Sequence, residues 1–309
     1  DNGQSSSSTG LDSNSTQFSF PQFLGPTRDC KTPGPKLIAD WESNPPEQMW
    51  RQDIGAAWSG FVVSANRAIT QEQRGENEIV SCYDLLTGKM LWMHSNPGRY
   101  DTKIAGEGPR ATPTIHEKNV YALGATGILN CLELETGKPV WQRNIASDAG
   151  LENDDEVDQT GASKKRNKAK EWGYSSSPLI LEGKVIVSAG GESGKSLLAY
   201  NLDSGEPVWS GGNSRAGYSS AHTATIHGEE QVLIFNQEEL TAHAPETGSV
   251  IWSFEWKVGV PHVSMPVILN DNQILLSLGY GQGSKLVQVT KSEGSYSANE
   301  LWSSRFMKA

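Results

Sequence analysis

The chain lacks any excess of positive charge: 26 Lys and Arg stand against 36 Asp and Glu over 309 residues, a formal net charge of -10. A nucleic-acid backbone is thereby excluded as a partner, because contacts to phosphate need a basic face. Long hydrophobic runs are also missing. No stretch approaches the roughly eighteen apolar residues of a membrane-spanning helix, so no transmembrane segment is expected. Cysteine is scarce: Cys30, Cys82 and Cys131 cannot all pair within one chain, and none lies in a Cys-x-x-Cys arrangement. That excludes a readable disulfide framework or zinc knuckle. The six His (His94, His116, His222, His227, His243, His262) show no His-x-x-x-His spacing, so no metal site is expected. Helical periodicity is nowhere convincing.

What is present is turn chemistry and tryptophan. Gly 32 and Pro 15 favour frequent tight turns, and Trp 10 outnumbers Tyr 8 and Phe 7, which asks for a repeated structural role. The pattern Asp/Glu/Asn-x-x-Thr/Ser-Gly-Lys/Glu-x-x-Trp recurs as Asp84 to Trp92, Glu133 to Trp141 and Asn201 to Trp209, with Gly88, Gly137 and Gly205 in the turns. A fourth copy, Ala244 to Trp252 with Gly248, has lost the polar first position, and weaker copies end at Trp50 and Trp302. These six Trp are 42, 49, 68, 43 and 50 residues apart. A period in the forties is that of a four-stranded propeller blade.

Each copy reads as two strands joined by a turn, with two further strands upstream. Pro178 to Leu181, the turn Glu182-Gly183-Lys184 and Val185 to Ser188 are an example. The fold class expected is therefore all-β, a β-propeller of four-stranded antiparallel blades. Five complete blades fall at about 58–95, 110–145, 173–212, 218–256 and 261–306, after a lone outer strand, Met49 to Ile54. Each Trp lies on an outermost strand, placed to pack against a neighbouring blade. Because an open ring leaves sheet edges unpaired, the expectation is a fragment of a seven- or eight-bladed parent. Residues 1–19 read as a disordered Ser-rich tail, of the kind left on an exported protein after removal of a leader. Residues 146–171, with five acids over 152–158 followed by five bases over 164–170, read as a flexible charged insert.

The Thr-Gly-Lys-x-x-Trp repeats, together with Gly108-Pro109-Arg110-Ala111-Thr112-Pro113, Gly173-Tyr174-Ser175-Ser176-Ser177-Pro178 and Ala216-Gly217-Tyr218-Ser219-Ser220, resemble the pyrroloquinoline-quinone-like repeat propellers. The opening Phe20-Pro21-Gln22-Phe23-Leu24-Gly25-Pro26-Thr27-Arg28-Asp29 is similar to that of planctomycete-type exported members. The resemblance spans Phe20 to Lys308 apart from the insert. It implies either of two functions: calcium- and quinone-dependent alcohol dehydrogenases, or the propeller lipoprotein of the outer-membrane barrel-assembly machinery, a scaffold without cofactor. For the dehydrogenases it implies a calcium ion held by carboxylate and amide oxygens, a Trp platform and often adjacent cysteines. The chain has no adjacent cysteine pair, and no set of six or more convergent oxygens is readable.

Strands nearest a propeller axis begin just after the linkers between blades. Aligning Pro113, Pro178, Ala221 and Pro266 puts Arg110, Ser175, Tyr218 and Val263 in register, with Tyr174 and His262 one step earlier and Trp58 at the corresponding place in the first blade. Trp58, Arg110, Tyr174, Tyr218 and His262 are thus the candidate ligand-binding residues of a funnel mouth; such polar side chains also bond neighbouring backbone in propellers. Ala189 to Ser196 nearly matches a phosphate loop, but a strand rather than a helix follows it. No catalytic residues are assigned. The leading reading is a non-catalytic, exported, periplasmic or envelope-associated module that binds or scaffolds a protein or envelope component, with no cofactor. The alternatives are a quinone-dependent dehydrogenase using pyrroloquinoline quinone with calcium, and a small-molecule or glycan binder at the funnel.

Overall fold

The middle strands of the first four repeats are buried over four or more consecutive positions, which requires cover on both faces, and blade-on-blade stacking provides it. In the computed structural model, which describes residues 19–34, 36–103, 105–151 and 172–307, the chain is an all-β propeller of five four-stranded antiparallel sheets. The first contains β1 (Val62–Ser64), β2 (Arg67–Arg74), β3 (Asn77–Asp84) and β4 (Met90–Pro97). A small hairpin, β5 (Asp101–Thr102) and β6 (Gly106–Glu107), leads to the second: β7 (Thr114–His116), β8 (Asn119–Leu123), β9 (Ile128–Glu133) and β10 (Pro139–Asn144). After a helix, α1 (Ile145–Ala149), the third contains β11 (Leu179–Leu181), β12 (Lys184–Gly191), β13 (Lys195–Asn201) and β14 (Pro207–Gly211). The fourth is β15 (His222–Ile226), β16 (Glu229–Phe235), β17 (Glu239–His243) and β18 (Val250–Glu255), and the fifth β19 (Val267–Ile268), β20 (Gln273–Leu278), β21 (Gly283–Ser292) and β22 (Ser295–Ser304).

Four hydrophobic clusters form the core, each lying between two successive blades. Six consecutive residues of β2 and of β3 are buried, whereas the outer β4 alternates.

The repeat turn explains the recurring Trp. In the first blade Asp84 Oδ1 accepts the amides of Leu86 and Thr87 and the Thr87 hydroxyl, and Gly88 closes the turn at φ +70°. The indole of the preceding repeat lies flat on that glycine. A methyl group at Gly88 or Gly205 would sit 2.6 Å from the ring of Trp50 or Trp141; Trp92 covers Gly137 and Trp209 covers Gly248 in the same way. Each ring also donates its Nε1–H into the turn it covers: Trp50 to Leu85 O at 2.8 Å, Trp92 to Leu134 O at 3.0 Å, Trp141 to Leu202 O at 3.0 Å and Trp209 to Pro245 O at 2.8 Å. In the first four blades the residue paired with the outer-strand Trp is small: Cys82 faces Trp92, Cys131 faces Trp141, Ala199 faces Trp209 and Ala242 faces Trp252. The two buried cysteines are therefore spacers beneath an indole.

The series changes at the fifth blade. Its outer hairpin, β21 and β22, continues to Ser292 and Ser295, so it has no Thr-Gly turn. The equivalent carbonyl, Val289 O, accepts His227 Nε2 at 2.9 Å, and Trp252 instead donates to Gln231 Oε1 at 2.8 Å. Trp302, on β22, is 40% exposed.

Two expectations need correction. Residues 49–54 form no strand: their attachment to the first blade is the Trp50 side chain, followed by the Ala56–Gln73 bridge. The charged insert begins with a helix, because Asn144 Oδ1 caps the amides of Ala146 and Ser147 and Gly150 ends it at φ +76°. The rest of that insert, 152–171, and tail residues 1–18 lie outside the described residues. Among the described residues no helix is long and apolar enough to cross a membrane.

Replacing Trp141 or Trp209 with Ala is expected to lower unfolding free energy by about 3–5 kcal/mol, as large core truncations do. Cys131→Ala, which copies the residue of the third and fourth blades, should cost less than about 1.5 kcal/mol. Denaturant melts check both, and an unchanged midpoint for Trp141→Ala would refute the docking scheme.

Candidate functional site

The inner strand of a blade turns one edge away from its own sheet, and the amide just before it needs an acceptor. The next blade supplies it. Gly60 N donates to Thr112 Oγ1 at 3.0 Å, Thr112 N to Ser177 Oγ at 3.0 Å, Ser177 N to Ser220 Oγ at 2.8 Å, and Ser220 N approaches Met265 Sδ at 3.3 Å. These positions are in register in all five blades, so the contacts form a belt from blade to blade. Linkers add a second tier: Trp58 N donates to Pro109 O at 2.9 Å and Tyr218 N to His262 O at 2.7 Å.

Above the belt lie the five candidate residues, in different environments. Trp58 is 68% exposed and borders Gly106 of the β5–β6 hairpin. Arg110 points into that hairpin, donating to the carbonyls of Ala105, Gly106 and Gly108, with its guanidinium 4.4 Å from the centre of the Tyr100 ring. Burial first of all holds its pKa below the usual arginine value, while Tyr100, Tyr218 and Glu78 oppose the shift. Tyr174 is buried, its ring against Gly127. Tyr218 is half-buried, edge-on to Trp172 with ring centres 5.9 Å apart. His262 is fully buried, its ring 4.4 Å from that of Phe235.

The structure thus groups Trp58, Arg110 and Tyr100 around one hairpin and Tyr218 with Trp172, while Tyr174 and His262 lie beneath the surface. Next to the fourth blade's linker a cleft of about 410 Å³ is lined by Arg215, Gln237, Glu238, Lys257 and Gly259.

Several polar residues that sequence reasoning missed hold this end together. Gln71 Nε2 reaches Ala111 O at 2.7 Å and Leu123 O at 3.1 Å. Asn236 accepts Ser188 Oγ and donates to Ser196 Oγ, at 3.0 and 2.8 Å. Two buried acids link elements in the same way. Glu78 accepts the Ala125 and Thr126 amides and the Thr126 hydroxyl of the next blade. Glu72 accepts Gly55 N, Ser81, Tyr83 and Arg74. Burial raises the Glu78 pKa, against the pull of its Thr126 and Ala125 donors. For Glu72 burial also pushes upward, but the donors outweigh it and the pKa lies below the usual glutamate value. Among these residues the one legible signal was position: polar residues inside otherwise apolar middle strands.

The sequence profile of the family described as outer membrane protein assembly factor BamB matches residues 31–168 and 157–306. The chain belongs to that family of repeat propellers. BamB of Moranella endobia (strain PCIT) is 29% identical over 149 residues, 43% of this chain and 38% of the relative. This match therefore spans well under half the length of the curated relative. Among solved structures, BamB from Moraxella catarrhalis matches with a TM-score of 0.51 and 14% identity over 83% of this chain and 64% of that one. A quinohemoprotein alcohol dehydrogenase from Comamonas testosteroni matches with 0.53 and 14% over 92% and 49%, and a europium-containing methanol dehydrogenase with 0.52 and 12% over 81% and 52%. At those identities the structural matches speak to fold alone.

Two measurements check this geometry. Burial pushes the Cys82 and Cys131 thiols up to about 12, whereas Cys30 is exposed. A thiol reagent at pH 8 should therefore modify one cysteine in the native protein and three after denaturation. Since the Glu72 pKa is depressed on folding, its contribution is fully present above the unfolded value near 4.5 and is lost as pH falls through the lower folded value. Stability of the native chain should accordingly drop more steeply below about pH 4.5 than that of Glu72→Gln, as read from urea midpoints against pH.

Proposed function

We propose that this chain is a non-catalytic, exported β-propeller that binds or scaffolds a protein partner in the periplasm or cell envelope. The observation that carries this is the use of polar groups around the mouth: Arg110 is held by three carbonyls, Glu78 by the next blade, and the Ser/Thr hydroxyls by neighbouring amides. What that leaves is a rigid rim of loops suited to holding a surface rather than to moving protons or electrons. The family description, an outer membrane protein assembly factor, supports the same direction. The rim offers Trp58, Tyr218 and the charged cleft at Arg215, Glu238 and Lys257 as contact residues. The exposed indole of Trp58 favours a second reading, a small-molecule or glycan ligand stacked at the mouth.

Pyrroloquinoline quinone with calcium fits these residues poorly. Cys82 and Cys131 lie in different blades beneath Trp92 and Trp141, and the buried acids Glu72 and Glu78 already accept several donors each.

Calorimetric titration with pyrroloquinoline quinone, with and without calcium, should give no saturable heat; calcium-dependent saturation would overturn the non-catalytic reading. A photo-crosslinking residue at position 58 or 218 should give a discrete adduct with one envelope protein. Adducts at neither position would overturn the mouth as the contact surface.

A further inference from the structure

The opening segment, Phe20 to Lys31, is laid across the inner strands. Phe20 and Val63 exchange two backbone hydrogen bonds of 2.8 Å, and Ile115 N donates to Pro21 O at 2.7 Å. Arg28 then reaches the third blade, where Nη1 donates to Pro178 O and Nη2 to Ser177 O, both at 3.0 Å, while Nη1 also meets Gln22 Oε1 at 3.2 Å. The segment is a strap that fills the open inner edges of the first, second and third blades in turn.

Where the strap ends, two buried nitrogens have no partner among the described residues: Arg28 Nε and His222 Nδ1. Arg28 is 4% exposed and His222 9%. The Ser177 N to Ser220 Oγ bond of 2.8 Å holds the fourth blade's inner strand against the carbonyls that Arg28 grips, and His222 follows two residues later. The corresponding positions in the other blades are Val62, Thr114, Leu179 and Val267, so the imidazole occurs in the one blade beside the guanidinium.

The electrostatics are unbalanced. Burial lowers the Arg28 pKa to about 9, which leaves it charged at neutral pH, and no ion pair recorded among the described residues includes it. Burial and then the Arg28 charge push His222 down to about 4, with Asp29 acting in the opposite sense. The Asp29 carboxylate is held by the Thr27 hydroxyl at 2.5 Å and Lys31 Nζ at 2.9 Å. A buried cation without counter-charge and a buried polar nitrogen without a partner are both strongly unfavourable. The guanidinium can only donate, and a neutral imidazole with its proton on Nδ1 donates as well. A water between them would accept both protons but leave the charge uncompensated.

We propose that a small monovalent anion of the chloride class sits on the propeller axis between Arg28 Nε and His222 Nδ1, beneath the strap. The ion neutralises the buried guanidinium and ties the strap, whose backbone bonds the first two blades and whose Arg28 side chain bonds the third, to the fourth blade. The enclosure of both side chains favours an ion over the carboxylate of another chain.

Two experiments test this. Crystals of the protein grown in bromide should show an anomalous peak within hydrogen-bonding distance of both nitrogens; a water there, or bromide only at the surface, overturns the proposal. In solution, replacing gluconate by chloride at constant ionic strength should raise the melting temperature of the native chain, whereas His222→Leu, which copies the third blade, should lose that response. Should His222→Leu fail to fold, Arg28→Gln is read in the same way. A native melting temperature indifferent to chloride overturns the proposal, and so does a variant that keeps the response.

Discussion

An indole lying on a glycine is the contact on which this fold depends. The glycine must adopt a positive φ to close its turn, which few residues other than glycine do without strain, and it must lack a Cβ because the ring of the preceding repeat occupies that space. The indole N–H then bonds a carbonyl of the same turn, so the large apolar ring is buried without leaving its polar atom unsatisfied. Direction follows from this geometry: Trp50, Trp92, Trp141 and Trp209 each reach forward to the next turn. Cys82, Cys131, Ala199 and Ala242 belong to the same constraint, since the strand beneath an indole has room for only a small side chain.

Stacking blades in this way fixes their outer ends and leaves the inner edges to be satisfied separately. Hydroxyls at Thr112, Ser177 and Ser220 accept the amides of the preceding blade, and the strap from Phe20 to Arg28 pairs with edges on the axis side. Outer and inner contacts are chemically distinct: aromatic burial at the perimeter, hydrogen bonds at the centre. Because every blade is held at both ends, the loops of the rim start from fixed points, and that rigidity is what a binding surface requires.

The perimeter was legible in the sequence and the centre was not, for physical reasons. Indole docking tolerates one large residue and one glycine, so Trp92, Gly137, Trp141 and Gly205 mark the repeat unmistakably. The belt needs only a short hydroxyl next to an extended residue, and Ser, Thr and even Met265 serve, so no pattern stands out. Arg28 was visible as part of an opening motif, yet nothing local announces that its partners are the carbonyls of Ser177 and Pro178, some 150 residues away. Trp50 misled in the opposite sense: its docking onto Gly88 is that of an outer-strand Trp, but pairing requires neighbouring strands that residues 49–54 do not have. Among the mouth residues, register placed Trp58, Arg110 and Tyr218 at one level; successive side chains alternate in an extended strand, and Tyr174 and His262, one step earlier, face inward.

The solved propellers similar in fold include both dehydrogenases and an assembly factor, so architecture alone does not divide catalysis from binding. The division has to come from what fills the axis. A catalytic axis needs groups held ready with unused valence, because chemistry requires donors and acceptors that the fold itself does not occupy. Here Arg110, Glu78, Glu72 and the belt hydroxyls all have structural partners within the protein, and the chain's own strap lies along the inner edges of three blades. Removing any of those partners to free a reactive group would cost the structural contact that the group maintains. The geometry that makes the rim rigid is therefore the geometry that occupies these polar groups.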